Sequence, residues 1–239
     1  MEAYGMTDVG LERNVNQDSI YYTTSSIGPL KNLFMVADGM GGHAAGDFAS
    51  KFTLDSLVKI FSESKDTQLI SSIDSGIHLV NSMLVRYADE NLDMYGMGTT
   101  LVLATIEDNI LYVANVGDSR LYVIDDHINQ ITRDHSYVEE MVNRGQMVRG
   151  SEEYYNKKSR ITRAIGSPTG VAVDFFEIEL HRDTRILLCS DGLTNMLTDE
   201  QIFSIVKKNS SVELQVTELV NAANKNGGTD NISVLMVLP

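Results

Sequence analysis

Short acidic motifs recur in this sequence where strand-like runs of apolar residues end. A single Asp-Gly pair is most often a turn, because Asp bonds its own backbone and Gly tolerates a positive φ. The repeat changes this interpretation, since loops gather at strand ends and would bring several carboxylates together. We therefore expect a cluster of carboxylates at one end of stacked strands. The aspartates concerned are Asp38, Asp118, Asp191 and Asp230, with Asp18 as a fifth.

A cluster of carboxylates would repel itself unless cations lay inside it. Oxygen ligands favour hard cations such as Mg²⁺ or Mn²⁺, whereas zinc would require a spacing of Cys or His that this sequence lacks. Two such ions ~3.5–4 Å apart can share a carboxylate and a bridging water, lower the pKa of that water and orient a phosphate for in-line attack. The aspartates therefore predict a two-metal site suited to phosphoester chemistry.

The composition is that of a folded globular protein. With 239 residues, 43% of them hydrophobic and 22% charged, the chain fits one large domain with a substantial core. Its formal net charge of -14 should repel nucleic acid and anionic membrane surfaces. We expect neither as a partner.

Cellular location is indicated by what the sequence lacks. The single cysteine, Cys189, cannot form an internal disulfide, and residues 1–5 do not resemble a secretion signal. The longest apolar runs fall short of the ~18 residues that a membrane-spanning helix needs. We expect a cytoplasmic, monomeric protein.

The elements that must position the aspartates follow from local sequence patterns. Two segments with helical periodicity, about 44–61 and 68–91, follow each other with no strand between them. Runs rich in β-branched and aromatic residues predict strands. These runs are 33–37, 100–104, 111–114, 121–124, 186–188 and 232–237.

Turn and cap signals complete the pattern. Residues 108–109 (Asp-Asn) predict a turn, and residues 117–119 (Gly-Asp-Ser) separate two strands closely enough to predict a hairpin. Capping boxes predict helices that begin at Ser136, Thr198 and Ser210. Helices grouped in pairs, with consecutive strands between the groups, indicate an α+β protein in which helices cover antiparallel sheets.

Taken together and in order, seven motifs resemble those of the metal-dependent protein phosphatases, the type 2C or PPM-type serine/threonine phosphatases, in their compact bacterial form. The resemblance covers essentially the whole chain and implies one domain over 1–239. It also implies a four-layer α-β-β-α sandwich, in which two antiparallel β-sheets pack together between pairs of helices, with a metal site at one end. The motifs lie at 13–18, 36–43, 98–100, 115–120, 132–136, 189–193 and 228–231.

The resemblance implies a role for each aspartate of the core site. Asp38 would bridge two Mn²⁺ or Mg²⁺ ions. Asp18 and the backbone carbonyl of Gly39 would hold the second ion, and Asp191 and Asp230 would hold the first. These five positions match the family pattern.

Further positions extend the implied site. Asp118 matches the position that helps Asp191 to hold a third, weaker metal ion in bacterial members. Arg13 matches the arginine that grips substrate phosphate, and a planar guanidinium can bind two phosphate oxygens at once. The implied reaction is attack of a metal-bridging hydroxide on phosphoserine or phosphothreonine in proteins. Phosphoproteins, and a cognate bacterial serine/threonine kinase among them, would be the partners.

The proton donor is where the sequence departs from the family pattern. Animal members carry a His directly after Asp-Gly, but this chain has Met40 there. His43 could donate the proton, or it could be a locally bonded histidine at a helix start, and a metal-bound water is a third alternative. We interpret His135, which precedes a capping box, as structural. Residues 145–163 match the variable flap of the family, which borders the site.

Other classes of protein fit less well. Residues 39–44 match a dinucleotide-binding pattern, but Asp38 would face the pyrophosphate, and a helix follows where the second strand of a βαβ unit is needed. A cysteine phosphatase needs an Arg six positions after its nucleophile, yet Asn195 stands six after Cys189. A catalytically silent phosphoprotein-binding module remains the alternative, and the retained aspartates favour an active enzyme.

Overall fold

The computed structural model describes residues 1–42, 45–66 and 68–239. Its strands are Glu2–Asp8 (β1), Asp18–Thr23 (β2), Leu33–Met40 (β3), Gly98–Thr99 (β4), Leu101–Glu107 (β5), Ile110–Val116 (β6), Arg120–Ile124 (β7), Ile128–Gln130 (β8), Asp174–Glu179 (β9), Arg185–Cys189 (β10) and Ile232–Leu238 (β11). Its α-helices are Ala45–Glu63 (α1), Leu69–Glu90 (α2), Tyr137–Asn143 (α3), Glu152–Lys157 (α4), Asp191–Thr194 (α5), Asp199–Lys208 (α6) and Val212–Lys225 (α7), and Leu92–Met94 is a 3₁₀ helix.

Two antiparallel sheets form the centre of the molecule. One sheet has the strand order β1-β11-β10-β7-β8, and the other has the order β2-β3-β5-β6-β9, with β4 also paired to β3. The predicted α+β sandwich is confirmed. None of the described helices is both long and apolar enough to cross a membrane.

The alternation of side chains along β3 shows how the layers stack. Leu33, Met35 and Ala37 pack in one buried cluster with α1 and α2, whereas Phe34 and Val36 pack in another between the two sheets. The opposite sheet does the same, because β10 and β11 direct alternate side chains against α6 and α7. The result is four layers, with helices outside and the sheets inside.

The hairpin predicted at residues 117–119 is wrong. β6 and β7 belong to different sheets, so these residues carry the chain from one sheet to the other. Gly117 has a φ of +103°, which allows the sharp change of direction. The predicted turn at residues 108–109 is confirmed, since Asp108 and Asn109 have φ values of +49° and +67° between the paired strands β5 and β6.

Helix starts follow the predicted caps with one correction. Thr198 forms a reciprocal capping box with Gln201, and the Ser136 hydroxyl accepts a hydrogen bond from the Glu139 amide. Helix α7 is capped by Ser211 and not by Ser210, because the Ser211 hydroxyl accepts a hydrogen bond from the Leu214 amide. The helix therefore begins one residue later than its sequence pattern indicated.

Candidate active site

The predicted aspartates converge at the junction between the two sheets. A cavity of about 260 Å³ is lined by Asp38, Asp118, Asp191 and Asp230. These side chains come from the end of β3, from the crossing between sheets, from the start of α5 and from the loop before β11. Asp18 lies buried beneath them at the start of β2, with 6% of its surface exposed. All five aspartates therefore lie in one region of the molecule.

Asp18 is a buried carboxylate in which one oxygen accepts a hydrogen bond and the other has no hydrogen-bond partner among the described residues. The Ser190 hydroxyl donates to its Oδ2 atom at 2.7 Å. Its Oδ1 atom is buried and has no hydrogen-bond partner in the described part of the chain. Burial raises the pKa of Asp18 to about 7; the bond from Ser190 opposes this rise, and the charges of Asp191 and Asp230 add to it.

Asp38 is held by its backbone, which leaves its side chain available to the cavity. Its amide donates to the Thr100 hydroxyl at 2.9 Å, and its carbonyl accepts from the Thr99 hydroxyl at 2.9 Å. Burial, followed by the charge of Asp18, raises the pKa of Asp38 well above its ordinary value. The Thr pair of the motif at 98–100 thus fixes the position of the carboxylate.

Gly39 follows Asp38 in a position that only glycine can fill. Its amide donates to the carbonyl of Gln17 at 3.0 Å. A Cβ atom at this position would lie 2.0 Å from the carbonyl oxygen of Gly46 in α1. The strand and the helix therefore pack backbone against backbone beside the cavity.

Asp191 and Asp230 lie on the other sheet. The Asn195 side chain donates to Asp191 Oδ2 at 2.8 Å, whereas Asp191 Oδ1 is buried without a partner among the described residues. Burial and the charge of Asp230 raise the pKa of Asp191. Arg13 donates to Asp230 Oδ2 at 2.9 Å, and its half-exposed side chain lies at the cavity wall.

Asp118 completes the lining of the cavity. Burial raises its pKa to about 7, and the charges of Asp191 and Asp134 contribute to this rise. The following hydroxyl, that of Ser119, lies 2.7 Å from the Thr100 hydroxyl. Asp118 is thereby connected to the same threonine that holds the backbone of Asp38.

The donor set fits divalent cations such as Mg²⁺ and Mn²⁺. Asp18 and Asp191 each have a buried oxygen without a partner among the described residues, and burial raises the pKa of both carboxylates. A divalent cation bound to these oxygens would compensate their charge. Within the described residues, no three Asp, Glu, His or Cys side chains already form a closed cage for one ion. Ser190, Asn195 and Arg13 each donate to one oxygen of Asp18, Asp191 and Asp230, respectively.

A second cavity of about 220 Å³ shares Asp118 and Asp191 with the first. Lys158, just after α4, and Asn195 line its far side. Burial, with the charge of Arg120 next, lowers the pKa of the Lys158 ammonium. Neither Lys158 nor Asn195 stood out in the sequence, since an isolated Lys or Asn in a polar segment carries no spacing signal.

The remaining predicted residues differ in how far the structure describes them. Met40 lies at the end of β3 and lines the first cavity. His43 lies outside the described residues. From the predicted flap at 145–163, Ser159 and Ile161 line the first cavity, and α4 lies within the same segment.

A carboxylate-lined cavity at the junction of two stacked antiparallel sheets, with a guanidinium at its wall, suits a metal-dependent hydrolase of phosphoesters. Residues 12–233 match the sequence pattern of the family described as Protein phosphatase 2C. The chain belongs to this family.

Known relatives cover almost all of the chain. It is 35% identical over 244 residues to the serine/threonine phosphatase stp of Listeria monocytogenes, with 99% of this chain and 95% of that protein covered. The crystal structure of the serine/threonine phosphatase Stp1 from Staphylococcus aureus superposes with a TM-score of 0.91 at 34% identity, covering 100% of this chain and 94% of that one. The catalytic domain of the phosphatase PstP, in complex with two manganese ions, gives a TM-score of 0.85 at 30% identity, covering 98% and 96%.

Proposed function

We propose that this chain hydrolyses phosphoserine and phosphothreonine esters in proteins, with divalent cations held by its buried aspartates. The observation that carries the proposal is the convergence of mutually repelling carboxylates at one cavity, with Arg13 at its wall. The relatives bear the name of serine/threonine phosphatases, which supports this substrate class. The chain is therefore a hydrolase that reverses the action of serine/threonine kinases.

The proposed assignment of ligands gives Asp38 the central position. Asp38 would be shared by two ions, with Asp18 and the Gly39 carbonyl on one side and Asp191 and Asp230 on the other. The two manganese ions in the PstP complex support the number of ions in the core site. Either Mn²⁺ or Mg²⁺ suits these oxygen donors.

A third, weaker ion is proposed between Asp118 and Asp191, which line both cavities. Burial and the charge of Asp191 already raise the pKa of Asp118, so a cation there would relieve repulsion between the two groups. Lys158 supplies some positive charge on the same side. This ion should bind more weakly than the core pair because the core pair relieves more carboxylate charge.

The chain's own residues bind and orient the substrate. When bound, the ions supply a Lewis acid for the phosphate and lower the pKa of the attacking water. Arg13 would donate to phosphate oxygens in place of the Asp230 oxygen to which it now donates at 2.9 Å. The threonines at 99–100 keep Asp38 fixed, so little reorganisation is needed as charge develops.

The leaving Ser or Thr oxygen needs a proton, and Met40 has none to give. We propose His43 as the donor, with a water in the cavity as the alternative. A pH–rate profile of His43→Ala decides between them: loss of the limb at high pH identifies His43, and an unchanged limb identifies water.

The proposal extends to organisation and partners. Residues 1–239 form one phosphatase domain with a flap at 145–163. Two residues of this flap, Ser159 and Ile161, line the first cavity. We place the protein in the cytoplasm as a monomer, with phosphoproteins and a cognate serine/threonine kinase as its partners. Substrate choice would then depend partly on the flap.

Hydrolysis assays test the proposed function directly. Turnover of a phosphothreonine peptide and of p-nitrophenyl phosphate should require Mn²⁺, stop with chelator, and fall at least about 10³-fold in Asp38→Ala. Asp47→Ala, an exposed change in the first turn of α1, should leave turnover unchanged. Absence of metal-dependent turnover would overturn the proposed activity, and undiminished turnover in Asp38→Ala would overturn the site.

A further inference from the structure

His135 is hydrogen-bonded to both the amide and the carbonyl of Gly117, the residue that precedes Asp118. The Gly117 amide donates to His135 Nδ1 at 3.1 Å. In return, the His135 amide donates to the Gly117 carbonyl at 3.0 Å. His135 is 6% exposed, so these bonds are largely shielded from water. The backbone just before Asp118 is thereby fixed to the segment at 132–136.

The opposite ring nitrogen is oriented by a carboxylate. Because Nδ1 accepts a hydrogen bond, the proton of the neutral imidazole lies on Nε2, which is 3.1 Å from Asp174 Oδ2. Arg163, at the end of the flap segment, donates to the other oxygen of Asp174 at 2.7 Å. The Thr162 amide donates to the His135 carbonyl at 2.7 Å. The ring is therefore held in one tautomer and one orientation.

The residue after Asp118 is anchored as well. The hydroxyls of Ser119 and Thr100 are 2.7 Å apart, and Thr100 also accepts from the amide of Asp38. A Cβ atom on Gly117 would lie 2.6 Å from the Thr100 side chain, so the crossing segment lies directly against the Asp38 support. Asp118 thus lies between two anchored neighbours.

We propose that His135, oriented by Asp174, is a positioning residue that fixes Asp118 over the cavity and so sets the affinity of the weak metal site. This inference rests on the proposed function and adds a role to a histidine that the sequence indicated only as structural. Without the acceptor at Nδ1, the Gly117 amide loses its partner and the Asp118 carboxylate loses its fixed direction. The core ions do not use Asp118, so their binding should be unaffected.

The test is calorimetric titration of the metal-free protein with Mn²⁺. The unchanged protein should show a tight phase and a weak phase, and Asp118→Ala should lose the weak one. His135→Phe keeps a ring without the acceptor, and should weaken the weak phase roughly 10–100-fold, as loss of outer-shell partners does, with the tight phase within about twofold. His135→Asn offers an oxygen near the Nδ1 position, and should restore the weak phase to within about threefold.

Two further variants make the result decisive. Asp174→Ala, at a one-third exposed side chain, should weaken the weak phase by a smaller factor, and it serves as the test if His135→Phe does not fold. In the double variant His135→Phe/Asp118→Ala, Mn²⁺ binding should match that of Asp118→Ala alone, because the histidine acts only through Asp118. Equal weakening of both phases by His135→Phe would overturn the inference, as would failure of His135→Asn to restore binding.

The outcome is separable from that of the proposed function. If the unchanged protein binds no Mn²⁺, the proposed function fails and this inference fails with it. If it shows only a tight phase, or if the weak phase survives both His135→Phe and Asp174→Ala, only the inference fails.

Discussion

Asp18 and Asp38 lie directly opposite each other in the antiparallel pair of β2 and β3. Like charges in this position destabilise a sheet, and here both are buried, so the pKa of each is raised. The sheet therefore contains a repulsion that bound cations would remove. The same pair of aspartates therefore lowers the stability of the metal-free protein and raises its affinity for metal ions.

The first prediction separates these two consequences with Asp38→Asn. In chelator at about pH 8, this change should raise the free energy of unfolding by roughly 1–3 kcal/mol, the scale of burying a polar group without a partner, because it removes a buried charge that faces Asp18. The stabilisation by Mn²⁺ that we expect for the unchanged protein should disappear. Urea unfolding with and without Mn²⁺ measures both effects. Asp47→Asn is the control, and lower stability of Asp38→Asn in chelator would contradict the prediction.

The second prediction concerns pH. Asp18 and Asp118 titrate near pH 7 when folded, but near their ordinary pKa of 3.8 when unfolded. Between these values the folded state binds more protons, so the free energy of unfolding of the metal-free protein falls as pH rises, by at most about 1.4 kcal/mol per pH unit for each group. Their contribution is fully present below the unfolded value and is lost above about pH 7.

Urea unfolding in chelator at several values from about pH 5.5 to 8.5 measures this slope. Asp118→Asn should make it shallower. Binding of Mn²⁺ near pH 6.5 should release protons, which calorimetry in buffers of different ionisation enthalpy detects. A metal-free protein that becomes more stable over this range, or metal binding without proton release, would show that these carboxylates are ionised in the folded state.

The strands that the sequence predicted are those inside the sheets. All six, namely β3, β5, β6, β7, β10 and β11, have neighbours on both sides, and their buried faces give continuous apolar runs. The strands it did not predict include β1, β2, β8 and β9, which are the edges of the two sheets. Edge strands carry polar and half-exposed side chains, as in Asp174–Glu179, so their apolar signal is weak.

Sequence motifs predict the aspartates of the site. They do not predict the residues whose roles depend only on packing in the folded chain. The aspartates stood out because several follow apolar runs in similar contexts. The pattern at residues 117–119 predicts a hairpin, although the chain crosses between sheets there, because a short turn does not tell which sheet the next strand joins. Ser190, Asn195 and Lys158 were not identified because their roles depend on neighbours distant in sequence.

The third prediction tests Arg13 as the phosphate ligand. Arg13→Ala should lower kcat/KM for a phosphothreonine peptide roughly 10²-fold, because it removes a preorganised donor to the phosphate. Arg13→Lys should restore only part of this loss, since an ammonium cannot bind two oxygens in one plane. Affinity for Mn²⁺ should not decrease, because Arg13 competes for an oxygen of Asp230.

Arg86→Ala is the matched control for Arg13. Arg86 is an exposed arginine on α2 that pairs with Glu90 at 2.8 Å and lines neither cavity of the site. Its removal should leave both kcat/KM and Mn²⁺ affinity unchanged. If Arg13→Ala behaves as Arg86→Ala does, Arg13 is a surface residue and the phosphate must be bound by other groups.

The fourth prediction compares Gly39, in β3, with Gly42, which follows the end of that strand. A Cβ atom on Gly39 would lie 2.0 Å from the carbonyl oxygen of Gly46 and 2.7 Å from that of Gln17. Both are backbone atoms, so β3 and α1 would have to separate. Gly39→Ala should lower the free energy of unfolding in chelator by about 3 kcal/mol and should also weaken Mn²⁺ binding, because Asp38 moves with its neighbour.

Gly42→Ala provides the comparison, since no described atom lies within 4 Å of the position of its Cβ. Its free energy of unfolding should change by less than about 0.5 kcal/mol. Urea unfolding and Mn²⁺ titration of both variants under the same conditions measure the difference. Equal stability of the two variants would mean that β3 and α1 can separate at little cost. The close backbone contact beside Asp38 would then not be what holds the carboxylate in place.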